Sequence, residues 1–415
     1  MAYTDDILAL SPDHLWTFNN VLTDSVGTAT GVASGATLVS KTDLCEGNTF
    51  CLRTDAIAER VALPATTTIS NSAQTRKAVG GWFQADRYQS PPKVVYAEGD
   101  TTNSFKIVLG WGNRLVFELD DNGTVFQIFG DTILEPDRSY HLMLIFEGTA
   151  YGNILRAYVD GVEQLNAEPT NRIPGLTTLT AKTTAWFGDP AGTVSIGGVE
   201  IVLLAPINGS YANWAAWDGA DAILTETEIR EELFEKGALA STTITNQAGL
   251  DALADSVRPN VPCCIRVTGD GTINLSADNV TFDSLASIHV QYTGTGTLNW
   301  TNTNGSNASL GSTTNGGTLN FINPATLTID TNPDILSGAE VRIYDNENTT
   351  DSNYNTELDG VESNIGSTFQ YAHSGTSNDI IIQIMKDGYE EIEIPYSIGS
   401  VDQSLTLFPK VEENA

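Results

Sequence analysis

Between His141 and Leu165 the sequence HLMLIFEGTAYGNILRAYVDGVEQL alternates with a period of two. Leu142, Leu144 and Phe146 take one side, and His141, Met143 and Ile145 take the other. After a polar, glycine-containing loop, Leu155, Ala157 and Val159 alternate with Arg156 and Tyr158. Successive side chains of a strand point to opposite faces, so this spacing predicts strands. Asp160-Gly161 separates the second run from Val162, and Asp-Gly favours a tight primed turn because both residues tolerate positive φ. A three-strand meander with one face for a core follows. Asp160 needs no role beyond its turn.

The chain has 415 residues, more than one core holds and enough for two to four domains. Apolar residues make up 40% and charged residues only 17%, with abundant Gly, Thr, Ser and Asn, a mixture suited to a turn-rich β protein. Twenty basic residues stand against 52 acidic ones, a formal net charge of −32. Such a surface repels phosphate, which argues against nucleic acid as a partner. The opening MAYTDDILAL lacks a basic segment and a long apolar stretch, so no signal peptide is expected. No run of 18 apolar residues occurs, and no membrane partner is expected. Cys45, Cys51, Cys263 and Cys264 lack metal-site spacing and are expected to be buried thiols.

Residues 1–240 read as one domain. Strands are expected at His14–Phe18, Ala78–Ala85, Lys93–Tyr96, Ser104–Trp111, Arg114–Leu119 and Thr124–Phe129, then the meander, then Ala185–Phe187, Val194–Leu204 and Tyr211–Trp217. Roughly a dozen short strands of this kind predict a large antiparallel sandwich. Thr225-Glu226-Thr227-Glu228 is a capping box that opens a helix. In that helix Ile229 and Leu233 form the apolar pair, Glu231, Glu232 and Glu235 face water, and Gly237 is the stop. LWTF, GGWF, FKIVL, LVFEL, the meander and the closing WAAWDGADAILTETEIREELFEKG together resemble a laminin-G or concanavalin-A-like lectin domain. The resemblance implies a jelly roll of two curved sheets that binds glycans or protein ligands, sometimes through calcium.

Residues 241–335 change character. Asn246 is expected to cap a short helix over Ala248–Val257. GTINL at 271–275, GTLNW at 296–300 and GTLNF at 317–321 then recur at spacings of 25 and 21, with NVTF, SIHVQY and TLTI between them. This predicts a layered, β-helix-like segment. From 284 to 329 there is no Asp, Glu, Lys or Arg. That stretch reads either as a surface that packs on copies of itself around a threefold axis or as an ordinary uncharged β unit. Residues 336–415 alternate again at Ala339–Tyr344, Thr368–Tyr371, Asp379–Met385, Tyr389–Ile394 and Gln403–Phe408, with a Lys386-Asp387-Gly388 turn. The unit resembles the small seven-stranded, transthyretin-like sandwich of carboxypeptidase-regulatory-like domains.

A catalytic reading requires same-face carboxylates. Sandwich glycosidases use an E-x-D-x-x-E spacing. Glu118 and Asp120 supply two members, but Gly123 stands at the third. His14, His141, His289 and His373 are far apart and without motif partners. The chain is therefore read as a non-enzyme without a cofactor. Calcium held by separate loops is the one alternative, with Asp100, Asp121, Asp189, Asp218, Asp221 and the Asp345-Asn346-Glu347-Asn348 turn as its carboxylates. Trp186 and Asp189 are the candidate glycan-binding residues, whereas Trp214 and Trp217 belong to the core.

Three β modules in series resemble a tailed-phage virion structural protein: a fibre, tail appendage or capsid decoration. This implies a homo-oligomer, expected to be a trimer, on the virion surface, contacting other virion proteins and host-surface glycans. The alternatives are a secreted bacterial lectin or adhesin and a polysaccharide-degrading enzyme. The missing signal counts against the first and Gly123 against the second.

Overall fold

The computed structural model describes residues 3–411 except 57–58, 67–68, 70–72, 89–91, 100–102, 149–152, 165–171, 174–177, 183, 189–192, 197–198, 203–206, 254–255, 258–261, 279, 283–285, 304–305, 347–356, 365, 374–377 and 400–401. The chain is all-β. A nine-stranded and a seven-stranded antiparallel sheet stack face to face in the first module. The meander forms one side of the nine-stranded sheet: Ser139–Glu147 pairs with Asn153–Val159, which pairs with Val162–Glu163. Asp160 and Gly161 take φ of 50° and 72°, the primed turn that Asp-Gly favours. Leu142, Leu144, Phe146, Leu155, Ala157 and Val159 all point into the inter-sheet core, against Leu115, Phe117 and Leu119 of the facing sheet. Trp16, Tyr96, Phe187, Tyr211 and Trp214 fill its centre, with Tyr96 and Trp214 stacked at 5.8 Å.

The other face of the meander is covered as well. Met143, Ile145, Tyr158, Trp82 and Trp217 form a second core with Ile229, Leu233 and Phe234 of the closing helix and with Cys263 and Ile288 of the next module. A short helix, Tyr3–Ala9, joins this layer, and its Tyr3 hydroxyl donates to Leu233 O at 2.6 Å and accepts from Trp82 Nε1 at 3.0 Å. The Gly80-Gly81 pair lets both cores close. A β-carbon on Gly80 would lie 2.3 Å from Met143 Sδ, and one on Gly81 2.5 Å from Trp214 Cγ. All four cysteines are buried free thiols.

The capping box forms as expected. Thr225 Oγ1 accepts from Glu228 N at 3.1 Å, and Glu228 Oε2 accepts from Thr225 N at 2.7 Å. The helix Glu228–Glu235 is wound wider than an α-helix, with Lys236 N bonded to Glu231 O five residues back. Glu235 is buried and does not face water, because the next module covers it: Gln291 Nε2 donates to Glu235 O at 2.6 Å. Val194–Leu204 is not one strand: Thr193–Ile196 and Val199–Val202 pair as a hairpin.

The second module is a short parallel β-helix. Its repeats stack in register, Thr272 on Thr297 on Thr318 and Leu275 on Trp300 on Phe321. Asn274, Asn299 and Asn320 form an amide ladder on the outside, with Asn299 Nδ2 donating to Asn274 Oδ1 at 2.7 Å and Asn320 Nδ2 to Asn299 Oδ1 at 2.9 Å. The repeated glycine has a steric cause: a β-carbon on Gly296 would sit 1.9 Å from Gly271 O. Asn246 caps a helix as expected, accepting from Gly249 N at 3.0 Å, but the helix covers only Gln247–Asp251, and Ser256–Val257 is a strand. The segment TLTI also departs from expectation. It lies in Ala325–Thr331, which pairs with Thr368–His373 and Gln403–Leu407 of the third module. There, three- and four-stranded sheets enclose a core of Leu327, Ile329, Val341, Ile343, Ile380 and Ile382.

Candidate functional site: the junction groove

The closing helix, the Asp160 turn and the β-helix meet around a groove of about 740 Å³ lined by Tyr158, Asp160, Glu163, Glu226, Arg230, Glu231, Phe234, Glu235, Ser287 and Leu310, among others. The sequence places these residues there for separable reasons. The primed turn projects Asp160 out of the sheet edge. The capping box fixes the first turn of the helix, which carries Glu226. The wide helical turn presents Arg230 and Glu231. A rung corner of the β-helix supplies Ser287, and Leu310 precedes the next short strand, Gly311–Thr313.

The floor of the groove is a buried ionic knot. Arg138 Nη2 donates to Asp160 Oδ2 at 3.3 Å and to Ser287 Oγ at 2.8 Å, and the Ser287 hydroxyl donates to Asp160 Oδ2 at 2.7 Å. The other Asp160 oxygen accepts from His141 N at 2.9 Å. Asp160 thus pins the meander to the β-helix, beyond the turn role its sequence context suggested. Burial pushes its carboxyl up, and the Arg138 guanidinium and Ser287 hydroxyl oppose that shift. The rim is wetter. Arg156 Nη2 reaches Glu226 Oε1 at 2.7 Å, and its Nε reaches Glu163 Oε1 at 3.0 Å. The Arg156 guanidinium also lies over the Tyr158 ring at 5.1 Å, while the buried Tyr158 hydroxyl has no hydrogen-bond partner.

Glu235 lies at the inner end of the groove, with Arg230 Nε donating to its Oε1 at 3.0 Å. Burial pushes its carboxyl up to about 7, against the pull of Arg230. The folded state therefore holds a proton that the unfolded chain releases from about pH 4.5 upward, so this group subtracts stability as pH rises from about 4.5 to 7. Glu235→Gln is expected to raise the melting midpoint at pH 8, by a stabilisation on the order of 1–3 kcal/mol, and to leave it unchanged near pH 4.5. Calorimetry of both proteins at the two pH values checks this. An equal effect at both would show that Glu235 ionises normally.

The residues singled out from sequence lie elsewhere. Trp186 is in Ala185–Gly188 on the outer side of the seven-stranded sheet, partly buried against Val94 and Ala97, with its Nε1 buried and unpartnered. Asp189 lies outside the described residues, as do Asp100, Glu347 and Asn348. Three strands from Trp186 on that sheet, Glu118 pairs with Lys106 at 2.6 Å and accepts from Gln127 Nε2 at 2.6 Å. Asp120, its strand neighbour, has its carboxyl raised by burial, with Lys106 opposing. Asp121 Oδ1 accepts from Thr180 N, and Asp218 Oδ1 from Gly219 N, so both serve loops. Among the described residues, no group of three or more His, Cys, Asp or Glu side chains converges as metal ligands would. His141 is packed edge-on against Trp82, and burial pushes it down to about 3, keeping it neutral.

One constellation had no sequence signal. His14 Nδ1 faces Asp24 Oδ2, and His14 Nε2 lies 2.9 Å from Thr66 Oγ1. The order matches a nucleophile, base and acid, but Thr66 Oγ1 also accepts from Ile69 N at 3.0 Å as the corner of a turn. Its partners are 10 and 52 residues from His14 in sequence, too far for any motif to register.

No protein-family model and no curated protein matches this sequence. Solved structures with some likeness include domain 4 of AbnA, a GH43 extracellular arabinanase from Geobacillus stearothermophilus, in complex with arabinotriose. It is 14% identical, with a TM-score of 0.39, over 54% of this chain and 98% of that one. The botulinum neurotoxin serotype D binding domain is 11% identical, with a TM-score of 0.40, over 53% and 50% of the respective chains. A Trypanosoma rangeli sialidase is 13% identical, with a TM-score of 0.36, over 55% of this chain and 31% of its own.

Proposed function

We propose that this chain is a non-catalytic, homo-oligomeric structural protein of a tailed-phage particle, and that its junction groove holds a neutral glycan. The observation that carries the glycan reading is the groove itself. It is walled by two sheet modules held by the Asp160 knot, and it presents the Glu231 carboxylate beside two charge pairs, Arg156 with Glu163 and Glu226 and Arg230 with Glu235. Sugar hydroxyls are recognised by such convergent charged hydrogen-bonding groups on a rigid scaffold. The net charge of −32 disfavours sialylated or phosphorylated sugars, which leaves neutral ones. The non-catalytic reading is supported by Glu118, which is held by Lys106 and Gln127, and by Gly123 at the position of a third carboxylate. The virion reading rests on the order of the three β modules.

Glycan-array screening followed by titration calorimetry tests the binding. A neutral oligosaccharide is expected to bind, and Glu231→Ala or Glu163→Ala is expected to weaken it about tenfold or more, the value of a hydrogen bond to a charged group. Failure of every neutral glycan, or binding indifferent to both substitutions, rejects the groove. Release of reducing sugar from a bound polysaccharide rejects the non-catalytic reading. An antibody to the chain that labels no phage particle in electron micrographs rejects the virion reading.

A further inference from the structure

We propose that two copies of this chain pair through the last rung of the β-helix, strand Thr318–Ile322 against its counterpart, antiparallel about a twofold axis. The two ends of the β-helix are unlike. At the first end the Gln247 side chain of the short helix closes the edge: its Nε2 donates to Ser276 O at 2.8 Å, and its Oε1 accepts from Ser276 N at 2.8 Å. At the other end Thr318–Ile322 pairs with Thr297–Thr303 on one side and, among the described residues, with nothing on the other. Thr318 N is bonded to Gly296 O at 2.8 Å, toward the preceding rung. Backbone groups alternate sides along a strand, so the N–H and C=O of Leu319 and Phe321 point to the open side. Their side chains are only partly buried, above a groove of about 550 Å³ at this end. An open row of backbone donors and acceptors over half-exposed apolar groups is a template for another strand.

Charge selects a second copy as that strand. Two molecules that each carry −32 repel over most of their surfaces, but residues 284–329 bear no Asp, Glu, Lys or Arg, so the strand itself adds no charge, and the groove beside it holds Arg230 together with Glu231 and Glu235 of the closing helix. The register is also self-complementary. Centring the axis on Asn320 sets Leu319 opposite the other copy's Phe321, and both are residues with outward-pointing backbone groups, as a hydrogen-bonded antiparallel pair requires. Asn320 then faces Asn320 of the other copy, joining the two amide ladders. Head-to-tail stacking is blocked because Gln247 occupies the opposite end, so the open edge leads to a closed dimer and not to a trimer or a filament built through this end. The pairing requires no glycan, although the groove beside this edge shares Arg230, Glu231 and Glu235 with the junction groove.

Sedimentation velocity on the full chain without glycan tests it. The wild type is expected to show a monomer–dimer equilibrium in the micromolar range, because one short strand pair buries less than the ~1,000 Å² of stable interfaces. It should tighten as salt rises from about 20 to about 200 mM and screens the net repulsion. N320D and N320K each place like charges face to face and should weaken dimerisation at least about tenfold. An equimolar mixture of the two should restore it as a heterodimer. Asn320 is exposed and gives one amide-ladder bond to Asn299, so melting midpoints within a few degrees of wild type, roughly the value of one hydrogen bond, separate this from misfolding. A wild type that stays monomeric to about 100 µM overturns the proposal. So do variants that still dimerise alone, and a mixture that does not dimerise.

Discussion

Asp160→Ala is expected to destabilise the first module by about 3–5 kcal/mol, the cost of leaving a buried partner charge unpaired. Arg138 is only 4% exposed, and its guanidinium has Asp160 and Ser287 as partners in the knot. The substitution also strips an acceptor from His141 N–H and Ser287. It also places alanine at a φ of 50°, a left-handed conformation that the short hydrogen-bonding side chain of aspartate tolerates better than alanine does. For a module of this size the melting midpoint should fall by roughly 10 °C. Asp160→Asn should lie between the two, since asparagine tolerates that φ and can still accept from His141 N–H but carries no charge. Adding Arg138→Met to Asp160→Ala should recover much of the loss, because removing both charges also removes the unpaired one. Calorimetry of the three proteins is decisive. A single alanine variant within 1 kcal/mol of wild type would mean that water reaches Arg138 and the knot is not buried in solution.

The same residue marks where local sequence stops being informative. The alternation of Leu142, Leu144 and Phe146 needed only neighbouring residues to be read, and those side chains lie in the inter-sheet core. That Met143 and Ile145 are buried too was not legible, because their cover comes from Ile229, Leu233 and Ile288, far along the chain. Asp160 looked complete as a turn residue, since Arg138 and Ser287 stand 22 and 127 residues away. The burial of Glu235 has no local signal either, because Gln291, which covers it, lies 56 residues away. The repeat at 271, 296 and 317 appears directly as stacked rungs: Gly271 takes a positive φ in open space, whereas Gly296 and Gly317 each lie against the backbone of the rung before, where a β-carbon would sit 1.9 Å from Gly271 O and 2.4 Å from Gly294 O. The groove was illegible for the same reason as Asp160: it exists only where modules meet.

The second large effect is expected at the opposite end of the first module. Asp24→Ala should cost about 3 kcal/mol or more and unsettle the loop that follows Trp16. The Asp24 side chain is fully buried. Its Oδ1 accepts from Leu15 N at 3.0 Å, Val26 N at 3.1 Å and Gly27 N at 2.9 Å, and its Oδ2 from Ala29 N at 3.0 Å, besides facing His14 Nδ1. Burial alone would raise this carboxyl, but His14 and the backbone N–H groups outweigh it and hold it well below the usual carboxylate range. Because the folded value is depressed, the stabilisation is complete above the unfolded pKa of about 4 and is lost only as pH falls toward the folded one. Asp24 and Glu235 thus slope in opposite directions: acid removes the contribution of Asp24, whereas rising pH removes that of Glu235. In Asp24→Asn the amide keeps one acceptor oxygen but loses the charge, and its N–H₂ meets the Ala29 or Gly27 N–H. It should therefore be nearly as damaging as alanine, although it is almost isosteric. Urea denaturation at pH 7 and pH 3 separates charge from shape. If asparagine matches wild type at pH 7, the loop is held by packing alone, and the anionic character of Asp24 contributes nothing to it.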